Sequence, residues 1–339
     1  MHPLKSTLNP SLSGSRIPIH ALGTHMFAGL FASVLLASAS ATTTTTAPDE
    51  TPIACDSCAD WNQPQAPFRI FGNTYYVGVR GLSSVLVVTK DGLILFDGDL
   101  PQSAHLIAEH IKTLGFDVRN VRWILNSHAH NDHTGGIAAL QRMSGAKVGV
   151  SARGAEALRV GHVTADDPLA GYGAATRFPP VSRAQAFRDG QTLSLGGTDV
   201  TAHATPGHTP GGTTWTWRSC EGGRCADMVY ADSLNPISAP GYRFSDTSRH
   251  PTTAEILRHS IATVRSLPCD VMISVHPDAS GVFEKAAANA LDPSKNAFLD
   301  PDSCRAYADD YGASLDARLQ EERKTRRVEL NAGITVPHR

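Results

Sequence analysis

The stretch 126–136 reads Asn-Ser-His-Ala-His-Asn-Asp-His-Thr-Gly-Gly and sets H-x-H-x-D-H in one short segment. Just upstream, 121–125 is an apolar run of strand type. Downstream, Thr134, Gly135 and Gly136 open a small-residue segment leading into 137–142. The four polar groups therefore sit on a strand-to-helix turn. On a strand-like approach His128 and His130 are two apart, so their side chains point the same way. Asp132 and His133 follow where the backbone turns. One turn thus aims two imidazoles at one point, and a carboxylate plus an imidazole at a neighbouring point. Imidazole nitrogen and carboxylate oxygen are ligands that Zn²⁺ accepts. The bland reading is that these are ordinary solvated side chains in a chain with 15 His. A metal site takes three or four ligands, so the metal reading requires more from elsewhere.

Two further histidines meet that requirement. Residues 199–204 read as a strand and lead to Thr205-Pro206-Gly207-His208-Thr209-Pro210, where two Pro-containing turns hold His208 rigidly. Residues 271–275 are an apolar strand capped by His276-Pro277-Asp278. Three His-bearing turns therefore each follow a strand. His105 and His110 fall on a helix expected over 102–114, and His162 falls in a loop; all three read as surface residues.

The rest of the chain alternates strands and helices. Residues 68–79, 82–89 and 93–96 are strand-like, the last two joined through Asp91-Gly92, a hairpin signal. Short strands follow at 147–150, 191–195, 199–204, 213–217 and 228–230, with helices at 152–160 and 252–267. Residues 161–181, rich in Gly, Pro, Asp and Ala, form a long loop suited to a lid or substrate wall. The tail, 283–326, is polar and helical. Alternating elements with ligands at strand ends indicate an α/β sandwich with a metal site along one edge. No Pro/Ser linker interrupts 52–339, so one domain is expected there.

The amino terminus differs. Residues 26–36 are an apolar core followed by Ala37-Ser38-Ala39-Ser40-Ala41, two overlapping A-x-A sites. This is a secretory signal pattern over 1–41. A membrane anchor is the alternative, for which the core is short. Residues 42–51 then read as a disordered spacer. Export suits the six Cys. By position they pair as Cys55 with Cys58, Cys220 with Cys225 and Cys269 with Cys304. The Cys55 C-x-x-C also fits a redox or metal pair, although no second C-x-x-C completes a zinc cage. The net charge of −2 carries no nucleic-acid footprint.

Together, H-x-H-x-D-H, T-P-G-H-T-P-G-G and S-V-H-P-D resemble the metallo-β-lactamase superfamily. Residues 203–217, 230–242, 264–276 and 302–308 are similar to the third subclass of class B β-lactamases, and the likeness starts near Trp61-Asn62-Gln63-Pro64. The resemblance implies a four-layer αβ/βα sandwich and two Zn²⁺ per chain. It implies His128, His130 and His208 as ligands of the first metal, and Asp132, His133 and His276 as ligands of the second. Asp132 would act in catalysis primarily as a ligand, with a base role the weaker alternative. Other subclasses place a Cys at the second site; here the matching strand end carries Asp232-Ser233. Cys269 and Cys304 match the family disulfide. Asp97 matches a strand-end Asp that supports the metal-site loop, and Ser233 and Ser238 match substrate-carboxylate contacts. The implied activity is hydrolysis of penicillins, cephalosporins and carbapenems by a metal-bound hydroxide, conferring antibiotic resistance. The implied enzyme is a periplasmic monomer acting on a small molecule, with no nucleic acid and no membrane after signal cleavage. The same superfamily includes lactone and thioester hydrolases, many with a bridging Asp at the strand end where Asp232 lies. That activity becomes the expectation if Asp232 turns toward the metals.

Overall fold

The structure, a computed structural model, describes residues 47–248, 251–292 and 294–331. The expected signal peptide and residues 42–46 lie outside these. Residues 47–51, expected to be spacer, instead form a 3-10 turn at Pro48–Glu50. Asp49 and Glu50 both bond to the Arg142 guanidinium, which holds the turn against the domain.

After a one-turn helix α1 (Cys58–Trp61) the chain enters strands β1 (Phe68–Phe71) and β2 (Thr74–Tyr76). The strand-type stretch 68–79 is thus a hairpin, broken where Gly72 takes a positive φ of 52°. Strands β3 (Val85–Thr89) and β4 (Gly92–Phe96) continue the antiparallel meander. Helix α2 (Ala104–Thr113) crosses over to the parallel strand β5 (Val121–Leu125). The short α3 (Asn131–Thr134) and α4 (Ile137–Ser144) lead to β6 (Lys147–Ser151), and α5 (Ala152–Val160) leads to β7 (Ala184–Phe187). β7 is a short strand that the hydrophobic pattern does not reveal. These seven strands form one sheet in sequence order.

The second sheet holds β8 (Thr192–Leu195), β9 (Thr198–Ala204), β10 (Thr213–Glu221), β11 (Arg224–Ala231) and, after α6 (Thr253–Ser266), β12 (Val271–Ser274), which pairs parallel to β11. The tail forms two helices, α7 (Val282–Leu291) and α8 (Ser303–Asn331). Among the described residues no helix is long and apolar enough to cross a membrane.

Three apolar clusters define the layers. Ile94, Phe96, Leu125, Trp215, Tyr230 and Ile273 belong to one core drawn from both sheets, so the sheets pack face to face. Leu95 and Ile124 pack outward with Ile107, Leu140 and Leu158 of α2, α4 and α5. Val229 and Met272 pack outward with Leu257, Ile261, Leu315 and Leu319 of α6 and α8. Alternate residues of each strand face opposite ways, which yields helix–sheet–sheet–helix, the expected four-layer sandwich. The α6 start is secured by a capping box between Thr252 and Glu255.

Disulfides join Cys55–Cys58, Cys220–Cys225 and Cys269–Cys304. The second closes the β10–β11 turn and the third ties α8 to the segment before β12. Farther along α8, buried Glu322 accepts from the backbone N–H of Phe244 and Ser245 (2.9 and 3.0 Å), from the Ser245 hydroxyl and from Arg318. Removing that carboxylate leaves one buried and one partly buried backbone donor unpaired. Glu322→Ala should therefore lower unfolding stability by about 2 kcal/mol or more. In urea unfolding this would appear as a lower midpoint at unchanged slope; an unmoved midpoint would refute the role.

Candidate metal centre

The site begins at the end of β4. Asp97 adopts a φ of 58° and Asp99 one of 54°, left-handed conformations that a non-glycine residue adopts only against a steric cost. The Asp97 carboxylate compensates: it accepts from Asn126 Nδ2 (2.9 Å), Ser127 N–H (2.7 Å), Ser127 Oγ (2.6 Å) and the Tyr230 hydroxyl (2.9 Å). It thereby pins the turn after β5 and links both sheets. Its distance to His133 Nδ1 is 3.9 Å, too long for a hydrogen bond. Asp97 therefore supports the loop through its backbone and Ser127, not by accepting from a ring N–H. Next to it the chains touch: a Cβ on Gly136 would lie 2.2 Å from the Gly98 carbonyl oxygen. This is the physical reason for the Gly pair after the histidine motif.

The rings of His128 and His130 on that turn and of His208 after β9 form a triangle with centroids 4.8, 4.9 and 4.8 Å apart and planes 72–88° from one another. His128, His130 and His208 each place one ligand atom within 4.8 Å of the others, as do His128, Asp132 and His133. His276, at the end of β12, brings its Nε2 to 3.3 Å from His133 Nε2 and 3.5 Å from Asp132 Oδ2. Asp132 Oδ2 lies 3.3 Å from His133 Nε2. All six predicted ligand positions thus meet at one edge where both sheets end. His105 and His162 are exposed and His110 bonds the Val77 carbonyl, all away from the site.

Outer partners settle which ring nitrogen four of the five histidines offer; His133 Nδ1 is buried without a hydrogen-bond partner among the described residues. His128 Nδ1 is 2.7 Å from Asp232 Oδ1, which leaves Nε2 buried without a hydrogen-bond partner among the described residues. His208 Nδ1 donates to the Asn235 carbonyl at 2.7 Å, freeing its Nε2 as well. His130 is reversed: Nε2 faces Asp167 Oδ1 at 3.2 Å, leaving Nδ1. His276 Nδ1 lies 3.3 Å from the Gly81 carbonyl, leaving Nε2. A ring whose one N–H is fixed by an acceptor presents the other nitrogen as a lone pair.

Electrostatics set the charge of each group. Burial holds His128 and His208 well below the ordinary imidazole range, so both rings are neutral. Burial works against the Asp132 charge. His133, through its charge and a hydrogen bond, outweighs it, so the carboxyl stays below the usual range. Burial also opposes a charge on His133, yet Asp132 raises that ring to about 9. Burial pushes Asp232 well above the carboxylate range. A buried nitrogen without a partner, neutral imidazoles and an ionised carboxylate together fit a borderline divalent cation.

Asp232 does not turn toward this cluster. Besides His128, its second oxygen lies 3.4 Å from Thr205 Oγ1, and a Cβ on Gly212 would lie 2.2 Å from that oxygen. Ser233 is buried and its Oγ accepts from Asn235 N–H at 3.3 Å. Ser238 accepts at 2.8 Å from Arg318 of α8, so one side of its hydroxyl is committed to holding the loop. Asp167 and the Asn235 and Gly81 carbonyls carry no sequence signal of their role. Asp167 lay within the 161–181 loop, but nothing local marked it as an acceptor for His130. That loop is also tied down by Asn131 Nδ2 to the Ala175 carbonyl and by Ala239 N–H to the Pro168 carbonyl.

The profile of the metallo-beta-lactamase superfamily matches residues 77–276. Among solved structures, the Rm3 metallo-beta-lactamase is 51% identical, with a TM-score of 0.77, over 80% of this chain and 100% of its own. MEM-A1, a subclass B3 metallo-beta-lactamase isolated from a soil metagenome library, is 48% identical, with a TM-score of 0.75, over 78% of this chain and 100% of its own. Among curated proteins, a hydroxyacylglutathione hydrolase of Anaeromyxobacter dehalogenans is 33% identical over 148 residues, 44% of this chain and 46% of that one. The chain spans about half the length of the curated relatives it matches. With the fold, the strand-end histidines and this match in agreement, the chain belongs to the metallo-beta-lactamase superfamily.

Proposed function

We propose that this protein hydrolyses the β-lactam ring of penicillins, cephalosporins and carbapenems with two Zn²⁺, after export to the periplasm. The carrying observation is the strand end of β11. There the Asp232 carboxylate is bound behind His128, and the neighbouring position is Ser233. An Asp at this place that reached between two metals would favour lactone or thioester hydrolysis; here both of its oxygens are engaged elsewhere. The likeness to the Rm3 and MEM-A1 β-lactamases supports the same reading.

His128 and His208 through Nε2, with His130 through Nδ1, would hold the first ion; Asp132, His133 and His276 would hold the second. When bound, zinc supplies a Lewis acid for the lactam carbonyl and brings the pKa of a coordinated water to about 7. The residues supply the frame. Asp232, Asp167 and the Asn235 carbonyl fix the three first-site rings from outside. Asp132 remains ionised as a ligand. Ser233 and the N–H groups of the 233–238 loop receive the substrate carboxylate, and Ser238 contributes the hydroxyl hydrogen that its bond from Arg318 leaves available.

Three outcomes are expected. The purified mature chain should open a carbapenem, and a chelator should abolish that turnover while added zinc restores it. Hydrolysis of a lactone or thioester with no turnover of any β-lactam would overturn the reading. Asp132→Ala should lose activity and about one zinc equivalent together; full activity in that variant would remove Asp132 from the site. Asp167→Ala should weaken zinc binding at the first site on the order of tenfold, because the His130 ring loses its only side-chain acceptor among the described residues. Unchanged zinc affinity would show that Asp167 merely shapes its loop.

A further inference from the structure

The family match begins at residue 77, yet one proposed ligand depends on residues before it. His276 is the most exposed of the six, its side chain 34% accessible, and its ring would swing freely if only β12 held it. Two contacts restrain it. The Trp61 ring lies against it, centroids 5.5 Å apart and planes tilted by 46°. The Gly81 carbonyl faces its Nδ1 at 3.3 Å. Both contacts trace to the same segment, because Gly81 N–H donates to the Trp61 carbonyl at 2.9 Å and Arg80 N–H to the Gln63 carbonyl at 2.9 Å. The fit is close: a Cβ on Gly81 would lie 2.5 Å from Trp61 Cδ1.

The segment is itself anchored. Buried Cys58, bonded to Cys55, packs with Val79, Leu82 and Leu100, and Trp61 and Ile53 pack against that cluster. Gln102 bonds both backbone groups of Ile53, and Ser103 Oγ donates to Asn62 Oδ1 at 2.6 Å. The Cys55–Cys58 link closes the turn that starts α1, on which Trp61 stands.

We infer that the disulfide-closed segment 53–63 is a clamp for His276, with Trp61 as a positioning residue that sets the affinity of the second metal site and leaves the first untouched. The inference rests on the two-metal reading above. Trp61 and Gly81 contact no ring of the first group, whose acceptors Asp232, Asp167 and Asn235 lie on other loops.

The test is a zinc titration of the metal-free full chain against a chromophoric chelator, resolving two stepwise dissociation constants. In Trp61→Ala the weaker constant should rise roughly tenfold or more, the usual effect of losing an outer partner of a metal ligand. The tighter constant should hold within about twofold. Trp61→Phe, which keeps a ring against His276, should recover most of the loss. The double variant Cys55→Ser, Cys58→Ser should move the weaker constant in the same direction; it replaces a thiol reductant because thiolates bind zinc themselves. If both constants stay put in Trp61→Ala, if both rise together, or if Trp61→Phe binds as weakly as Trp61→Ala, the clamp is overturned. A wild-type chain that takes up fewer than two zinc ions overturns the two-metal reading itself, and the clamp with it. A thermal unfolding curve of each variant separates a folded chain with one weakened site from a chain that has lost its fold.

Discussion

The buried carboxylate of Asp97 is the constraint on which the rest depends. It accepts four hydrogen bonds, two from the Ser127 backbone and hydroxyl, one from Asn126 and one from Tyr230. Three of these fix the turn that follows β5, and the fourth comes from the opposite sheet. Burial raises its proton affinity, so the donors must all be present for the group to be tolerated at full burial. Those bonds offset the left-handed backbone at Asp97, and at Asp99 the carboxylate accepts from Ser84 Oγ (2.9 Å) and Val79 N–H (3.3 Å). The same turn receives Thr213 N–H on the Ser127 carbonyl at 2.8 Å and Trp215 Nε1 on the Asn126 carbonyl at 3.1 Å. The two sheets are thus locked together at the edge where His128 and His130 project.

From that edge the parallel strands do the remaining placement. β4, β5 and β6 run the same way, and β12 runs with β11, so Asp97, the histidine turn, Asp232 and His276 all emerge from carboxyl ends of strands. Ladder hydrogen bonds fix the register of each strand against its neighbour. Residues distant in sequence, such as His133 and His276, can then meet at 3.3 Å. The helices behind the sheets bury the outer faces and hold the loops around the cluster: the Tyr307 hydroxyl of α8 donates to the Asp232 carbonyl at 2.9 Å, Ser260 Oγ of α6 to the Pro206 carbonyl at 2.6 Å, and Glu322 and Arg318 hold the 238–245 loop.

Much of this was legible in the amino-acid sequence, for reasons that differ by residue. His128, His130, Asp132 and His133 could be read because their spacing acts locally, on one strand and one turn. His208 and His276 could be read because turn formers bracket them immediately after apolar strands. The acceptors could not. Asp167, the Asn235 carbonyl and the Gly81 carbonyl gain their roles only when loops from distant parts of the chain close over the rings. An aspartate in a Gly-rich loop, or any backbone carbonyl, carries no mark of its future partner. Asp97 was assigned by resemblance, but its mode of action, through Ser127 and not through a ring N–H, required the distances. Strand β7 was missed because four residues at a sheet edge bury too little to leave a pattern, and the 68–79 hairpin was blurred because its turn residue, Gly72, lies inside an aromatic run.

The two halves of the centre are built differently, and the difference follows from burial. Each ring of the first group is largely buried and has its outer nitrogen fixed by a carboxylate or carbonyl, so its geometry is determined before any ion arrives. The second group is assembled from charged and exposed parts. Asp132 and His133 compensate each other's charge, and His276 stands at the rim, held by a long contact to Gly81 and by the face of Trp61. A preorganised set loses little freedom on binding, whereas a set that must displace a proton and order an exposed ring loses more. On the two-metal reading proposed above, the first position would be the tighter. The second would respond to whatever packs on His276, and so to the segment 53–63, which precedes the residues 77–276 that the family profile matches.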